Sequence, residues 1–192
     1  MRKQALWILV IALAVAAAPV AQAQINSNTG TITLNAALTE SLTVTVNSGN
    51  NINFNLLPNT AVNAPTGATT TSNITTAWTL KPGRTAVAVW AYFGSAASAL
   101  VHQTAGNTVD IPSSAVSIQV GGAGAFTPLT AVSPFNAAAS GAQIGPSISI
   151  TGLNKRSSRT DTLAYNIDTT VVPQLPADTY VGTLNIQAQA TP

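Results

Sequence analysis

The chain has 192 residues, 46% of them hydrophobic and only 6% charged, with seven Lys or Arg, five Asp or Glu, one histidine (His102) and no cysteine. So few titratable groups argue against an enzyme, because acid–base, nucleophilic and metal-assisted catalysis each need such groups set beside one another. The same composition excludes a disulfide framework and cysteine-ligated metal, gives no basic stripe for nucleic acid, and leaves no cofactor expected.

Arg2 and Lys3 precede an apolar run from Ala5 to Ala18, followed by Pro19 and Ala21-Gln22-Ala23. A charged head, an apolar stretch and a small-x-small site are the anatomy of a secretory leader, so residues 1–23 are expected to be removed and 24–192 to form the exported domain. The run is shorter than the roughly 20 residues that span a bilayer, and no later segment is apolar enough to cross one. Without Arg2 and Lys3, five cations (Lys81, Arg84, Lys155, Arg156, Arg159) face five carboxylates (Glu40, Asp110, Asp161, Asp168, Asp178), giving a neutral domain. Weak self-repulsion suits a protein that assembles. A chain of this length buries about 70% of its unfolded surface, enough for one domain without staples.

Apolar residues then recur at period two, which places them on one face of a strand with Thr and Asn on the other. Ile32, Leu34, Ala36 and Leu38 form the first set, within an expected N-terminal strand over residues 25–38. Leu42, Val44 and Val46 form the second, and Ile52, Phe54 and Leu56 the third, with turn formers at Ser48-Gly49-Asn50 and Pro58-Asn59. Residues 57–75 are small, polar and proline-punctuated, and read as a loop or a loosely held edge.

A hairpin is expected where Trp78–Lys81 meets Thr85–Phe93 across Pro82-Gly83, a pair suited to a type II turn. Residues 86–93 (AVAVWAYF) are apolar on both faces, as in a central strand covered on each side. Gly94–Ala105 reads as a short helix or a loop, Val116–Val120 as a strand, and 127–146 as loop-like. Ile148 and Ile150 open the last third, and a basic connection over Asn154–Arg159 leads into a strand carrying Leu163, Tyr165 and Ile167. Pro176-Ala177-Asp178 turns into a final strand whose Tyr180, Gly182, Leu184, Ile186 and Ala188 share a face. Eight to ten short strands with hardly a helical segment predict an all-β fold, a single antiparallel immunoglobulin-like β-sandwich.

Residues 28–56 (NTGTITLNAALTESLTVTVNSGNNINFNL) and 175–190 (LPADTYVGTLNIQAQA) resemble the opening and closing of spore coat protein U-like domains and archaic chaperone–usher pilins. Such domains often carry a disulfide near the second strand, where this chain has Leu42 and no cysteine. The resemblance implies donor-strand exchange: each sandwich lacks a strand, and the N-terminal strand of the next copy fills the gap. The partners would be other copies of itself, head to tail, with a periplasmic chaperone and an outer-membrane usher assisting. Residues 24–38 would be the donor strand, Ile32, Leu34, Ala36 and Leu38 its inserted face, and Thr39-Glu40-Ser41 the hinge. Beside this stands the plainer reading that the segment is the first strand of its own sheet.

Chemistry finds little purchase. His102 has no cysteine partner, no G-x-S-x-G elbow occurs, and Asp161 and Asp168 stand about 23 Å apart along an extended strand, too far for a glycosidase pair. Lys155, Arg156 and Arg159 are either an anionic-glycan contact or a solvated loop. Trp78, Trp90 and Tyr92 are either a sugar-stacking platform or core. The expectation is an exported structural subunit of a pilus-like or coat-like surface assembly; the alternative is a monomeric secreted carbohydrate-binding or adhesive module.

Overall fold

A computed structural model describes residues 27–133 and 136–192. The expected leader at 1–23, and residues 24–26 at the head of the expected donor strand, lie outside the described residues. The chain falls into two units, one ending at Ala37 and one running from Leu38 to Pro192.

Strands β1 (Ser41–Ser48), β2 (Asn53–Phe54), β3 (Pro65–Thr66), β4 (Thr71–Thr79) and β5 (Ala86–Phe93) come first. They are followed by β6 (Val101–His102), β7 (Val116–Val120), β8 (Thr127–Pro128), β9 (Ala131–Ser133) and β10 (Asn136–Gln143). The last are β11 (Ile148–Ser149), β12 (Arg156–Ile167), β13 (Tyr180–Val181) and β14 (Asn185–Thr191). One antiparallel sheet has the order β1-β4-β12-β7-β8; in a second, β5 is flanked by β14 along one side and by β10 and then β11 along the other, with β9 beyond β10, and β13-β6 and β2-β3 form two small pairs. The expected all-β class is what the chain adopts. Inward side chains of both sheets, Ile74, Ile118, Leu163 and Ile167 against Val89, Ala91 and Phe93, form one buried core. A smaller cluster of Trp78, Leu80, Val87 and Ile150 fills the end where β4 stops.

Four local expectations are corrected. The first is the stretch 57–75, whose last residues belong to β4, a central strand paired by β1 on one side and β12 on the other. Its inward positions include Ser72 and Thr76, so the alternation is carried partly by small polar residues that sheets accept well. Ser72 is satisfied in the interior, accepting from the Tyr165 hydroxyl and donating to the Gly49 carbonyl.

The second is the Pro82-Gly83 hairpin. Gly83 does take a positive φ of 96°, yet β4 and β5 lie in different sheets and the turn arches between them. Each flank bonds within its own layer: Leu80 N–H donates to Lys155 O and Thr85 N–H to Thr191 O. β5 is central, but only one of its faces is buried; Ala86, Ala88, Trp90 and Tyr92 on the other are half-exposed.

Third, 127–146 is not a loop, since β8, β9 and β10 run through it. Ala, Ser and Gly hide the period here, and Gly141 is required: a Cβ there would lie 2.4 Å from the Ala91 carbonyl oxygen. Fourth, the basic connection Asn154–Arg159 is largely strand, for β12 begins at Arg156. The outer face of β1, β4 and β12 is built of hydroxyl rows such as Thr45, Thr75 and Thr160. There the Thr75 and Thr160 hydroxyls stand 2.9 Å apart, and Asn47 donates to Thr75 at 2.8 Å.

Candidate functional site

Residues 27–40 form no strand, so the expectation of an N-terminal strand paired within its own sheet is not met. A strand holds its shape only through a partner's backbone groups. Ile32 (87%), Leu34 (89%) and Leu38 (85%) are almost fully exposed, and Ala36 is exposed with them. This is an amphipathic segment with its apolar side in water.

Within the domain from Leu38 onward, β1 and β14 are edges of different sheets lying next to each other, with no ladder between them among the described residues. Register fixes which of their side chains face the interior. Leu42, Val44 and Val46 stand opposite Trp78, Thr76 and Ile74 of β4, while Ile186, Ala188 and Ala190 stand opposite Ala91, Val89 and Val87 of β5. The β4 and β5 partners are buried, but all six of these edge residues are only partly covered, and Val46 is 45% exposed. Two sheet edges therefore present interior-type side chains that nothing in the described chain finishes covering.

One end of this cleft is bridged by side chains. The Arg84 guanidinium donates to both carboxylate oxygens of Glu40, at 2.9 and 3.4 Å, and to the Ala190 carbonyl at 3.2 Å. It thereby joins the head of β1 to the tail of β14, with Lys81 at 3.9 Å from Glu40. The hydrogen bonds from Arg84 hold the Glu40 carboxyl below its usual range.

The aromatic trio does not share a face. Trp78 points inward from β4, is 4% exposed, and donates its indole N–H to Asn154 O at 2.8 Å. Trp90 and Tyr92 lie on the outer face of β5, where the Tyr92 hydroxyl donates to Gln187 at 2.9 Å. The basic trio also separates. Arg159 has the same inward parity on β12 as Leu163, and donates to Asp161 at 2.8 Å, Pro146 O at 2.8 Å and Ile144 O at 2.7 Å. It is a staple between the two sheets. Its parity with Leu163, Tyr165 and Ile167 is visible in the sequence and was the signal for an interior role.

His102 does have a partner, Asp110, at 2.7 Å through Nδ1. Hydrogen bonds from the Ser98 hydroxyl, the His102 amide and the His102 ring hold the Asp110 carboxyl below its usual range. The imidazole's hydrogen bond is to this carboxylate, and no serine hydroxyl is among its partners in the described residues. Among the described residues no three His, Cys, Asp or Glu side chains gather as a metal site, and no helix is long and apolar enough to cross a membrane.

Asp178 is a loop fastener. It accepts from Thr104 N–H (3.2 Å), Thr104 Oγ1 (2.8 Å), Asn107 Nδ2 (2.8 Å) and Thr179 N–H (2.7 Å). These bonds, Asn107 foremost, hold its carboxyl far below the usual value of 3.8. A depressed folded-state pKa contributes stability that is present above the unfolded value and lost as pH falls below it. Asp178→Asn should therefore melt lower than the parent at pH 7, with the gap closing as both are titrated below about pH 3. Thermal melts across that range check this, and a gap independent of pH would refute it.

Comparison with family models, curated proteins and solved structures finds no match to this chain.

Proposed function

We propose that the protein is an exported structural subunit that polymerises by donating its N-terminal segment to the cleft between β1 and β14 of the next copy. One observation carries this reading. Interior-type residues at two adjacent sheet edges are left partly uncovered, while an alternating apolar segment just ahead of β1 stands exposed. Strand addition couples the two, since edge N–H and C=O groups bond the incoming backbone and alternate side chains enter the uncovered strip. Ile32, Leu34, Ala36 and Leu38 are the inserted face. The product is a pilus-like or coat-like filament at the cell surface, in keeping with the resemblance to spore coat protein U-like and archaic chaperone–usher subunits. A periplasmic chaperone would guard the cleft before assembly, and an outer-membrane usher would accept the chaperone-bound subunit.

The second reading, a carbohydrate-binding module, now rests on Trp90 and Tyr92, with Trp78 in the interior. Removal of residues 24–38 separates the two. The donor reading expects the shortened domain to melt lower and stay monomeric, a synthetic peptide of residues 25–38 to restore the melt in trans, and the full chain to form oligomers on size exclusion. A full chain that stays monomeric, with a melt indifferent to both truncation and peptide, would overturn it and leave glycan binding.

A further inference from the structure

Strand register gives the domain two poles. At one, β1 and β12 begin and β4 and β14 end; at the other, β1 and β12 end and β4 begins. The first pole carries Glu40 with its Arg84 clamp, and also Leu153, which is 100% exposed. Leu153 sits on a well-fixed turn. Asn154 accepts from Thr151 N–H at 2.7 Å, donates to Ser149 O at 2.8 Å, and receives the Trp78 indole N–H on its carbonyl. A fully exposed leucine on a hydrogen-bonded turn is a knob with no counterpart in its own fold.

The opposite pole carries an apolar patch. Leu57, Val62 and Val171 are 62%, 69% and 48% exposed, on two loops tied together. Thr169 donates from Oγ1 to Leu57 O at 2.7 Å and from its amide to Thr60 O at 3.0 Å, and Asn166 donates to Ala61 O at 3.1 Å. A knob at one pole and a patch at the other make a heterologous pair, which propagates instead of closing.

Strand donation would bring these poles together, and the inference rests on that reading. Only Thr39 and Glu40 separate Leu38 from Ser41 at the start of β1, a reach of about 10 Å. The donating copy must therefore press its Glu40 pole against one pole of the acceptor. The acceptor's own Glu40 pole is spanned by the Arg84 bridge, which an entering strand would have to break, whereas the inward face of β1 is most exposed at Val46, toward the far pole. We infer that Leu153 of each copy seats on the Leu57–Val62–Val171 patch of its neighbour, a second head-to-tail contact beside the donated strand.

Because the chain has no cysteine, introduced pairs report cleanly. In the full chain, Leu153→Cys would be combined in turn with Leu57→Cys, Val62→Cys and Val171→Cys, and a separate Leu34→Cys, Val44→Cys variant would report on the cleft. Under mild oxidation, the inference expects multimer ladders on denaturing gels from the cleft pair and from at least one polar pair. A cleft ladder with none from the three polar pairs overturns this inference and leaves strand donation standing. No cleft ladder, with no oligomers of the parent chain, overturns both. Independently, Leu153→Asp should keep its melting temperature and weaken assembly about tenfold or more in sedimentation, the loss expected when a buried leucine is given up. Undiminished assembly of that variant would refute the contact.

Discussion

Leu34→Asp should abolish filament formation while leaving the domain folded. Leu34 is 89% exposed in the single chain, so nothing there depends on its apolar character. In the proposed filament it lies near the middle of the inserted face, against the uncovered strip of β1 and β14. Burying a leucine contributes about 1.5–3 kcal/mol, and a carboxylate forced into the same strip adds a desolvation cost. Together these weaken each junction by at least about a hundredfold. Electron microscopy and sedimentation read the outcome, with an unchanged melt of the monomer as the control. Normal filaments from the variant would sink strand donation through this face.

Trp78→Ala should cost about 3–5 kcal/mol of stability, whereas Trp90→Ala should cost far less. Trp78 fills the smaller core cluster with Leu80, Val87 and Ile150, and its indole N–H is satisfied by Asn154. Truncating it leaves a cavity and orphans that carbonyl, at the pole that also carries Leu153. Trp90 is half-exposed on the outer face of β5 and leaves no comparable void. Denaturant unfolding of both variants tests the contrast, and equal costs would show that the inward placement of Trp78 is wrong. A loss of binding to an insoluble polysaccharide in Trp90→Ala alone would revive the sugar-binding reading.

Parity was the most legible property of the chain. Wherever large apolar residues alternate cleanly with small or polar ones, as at Leu42–Val46, Val116–Val120 and Leu163–Ile167, the strand and its inward face can be read directly. β10 was lost because Asn136–Gln143 alternates nothing larger than alanine at most of its positions. Pairing was harder still. Pro82-Gly83 satisfies a hairpin and an arch between sheets equally, and the choice is made by Lys155 and Thr191, far away in sequence. The face proposed for donation is visible in the sequence because it is contiguous. The edges proposed to receive it are not, since β1 and β14 become neighbours only through the whole topology. Arg159 is misread from sequence for a related reason: charge suggests a surface loop, although its phase with Leu163 points inward.

The hydroxyl rows across β1, β4 and β12 bear on how such a filament would meet its surroundings. On this face Thr75 stands between its cross-strand neighbours Thr45 and Thr160, and its hydroxyl meets that of Thr160 and the Asn47 amide through short neutral bonds, with Arg156 at the margin. Going from 0.01 M to 1 M salt contracts the Debye length from about 30 Å to about 3 Å, which silences charged coats. Here there is almost nothing for the ions to silence. A flank of this kind keeps the same character in fresh water and in brine.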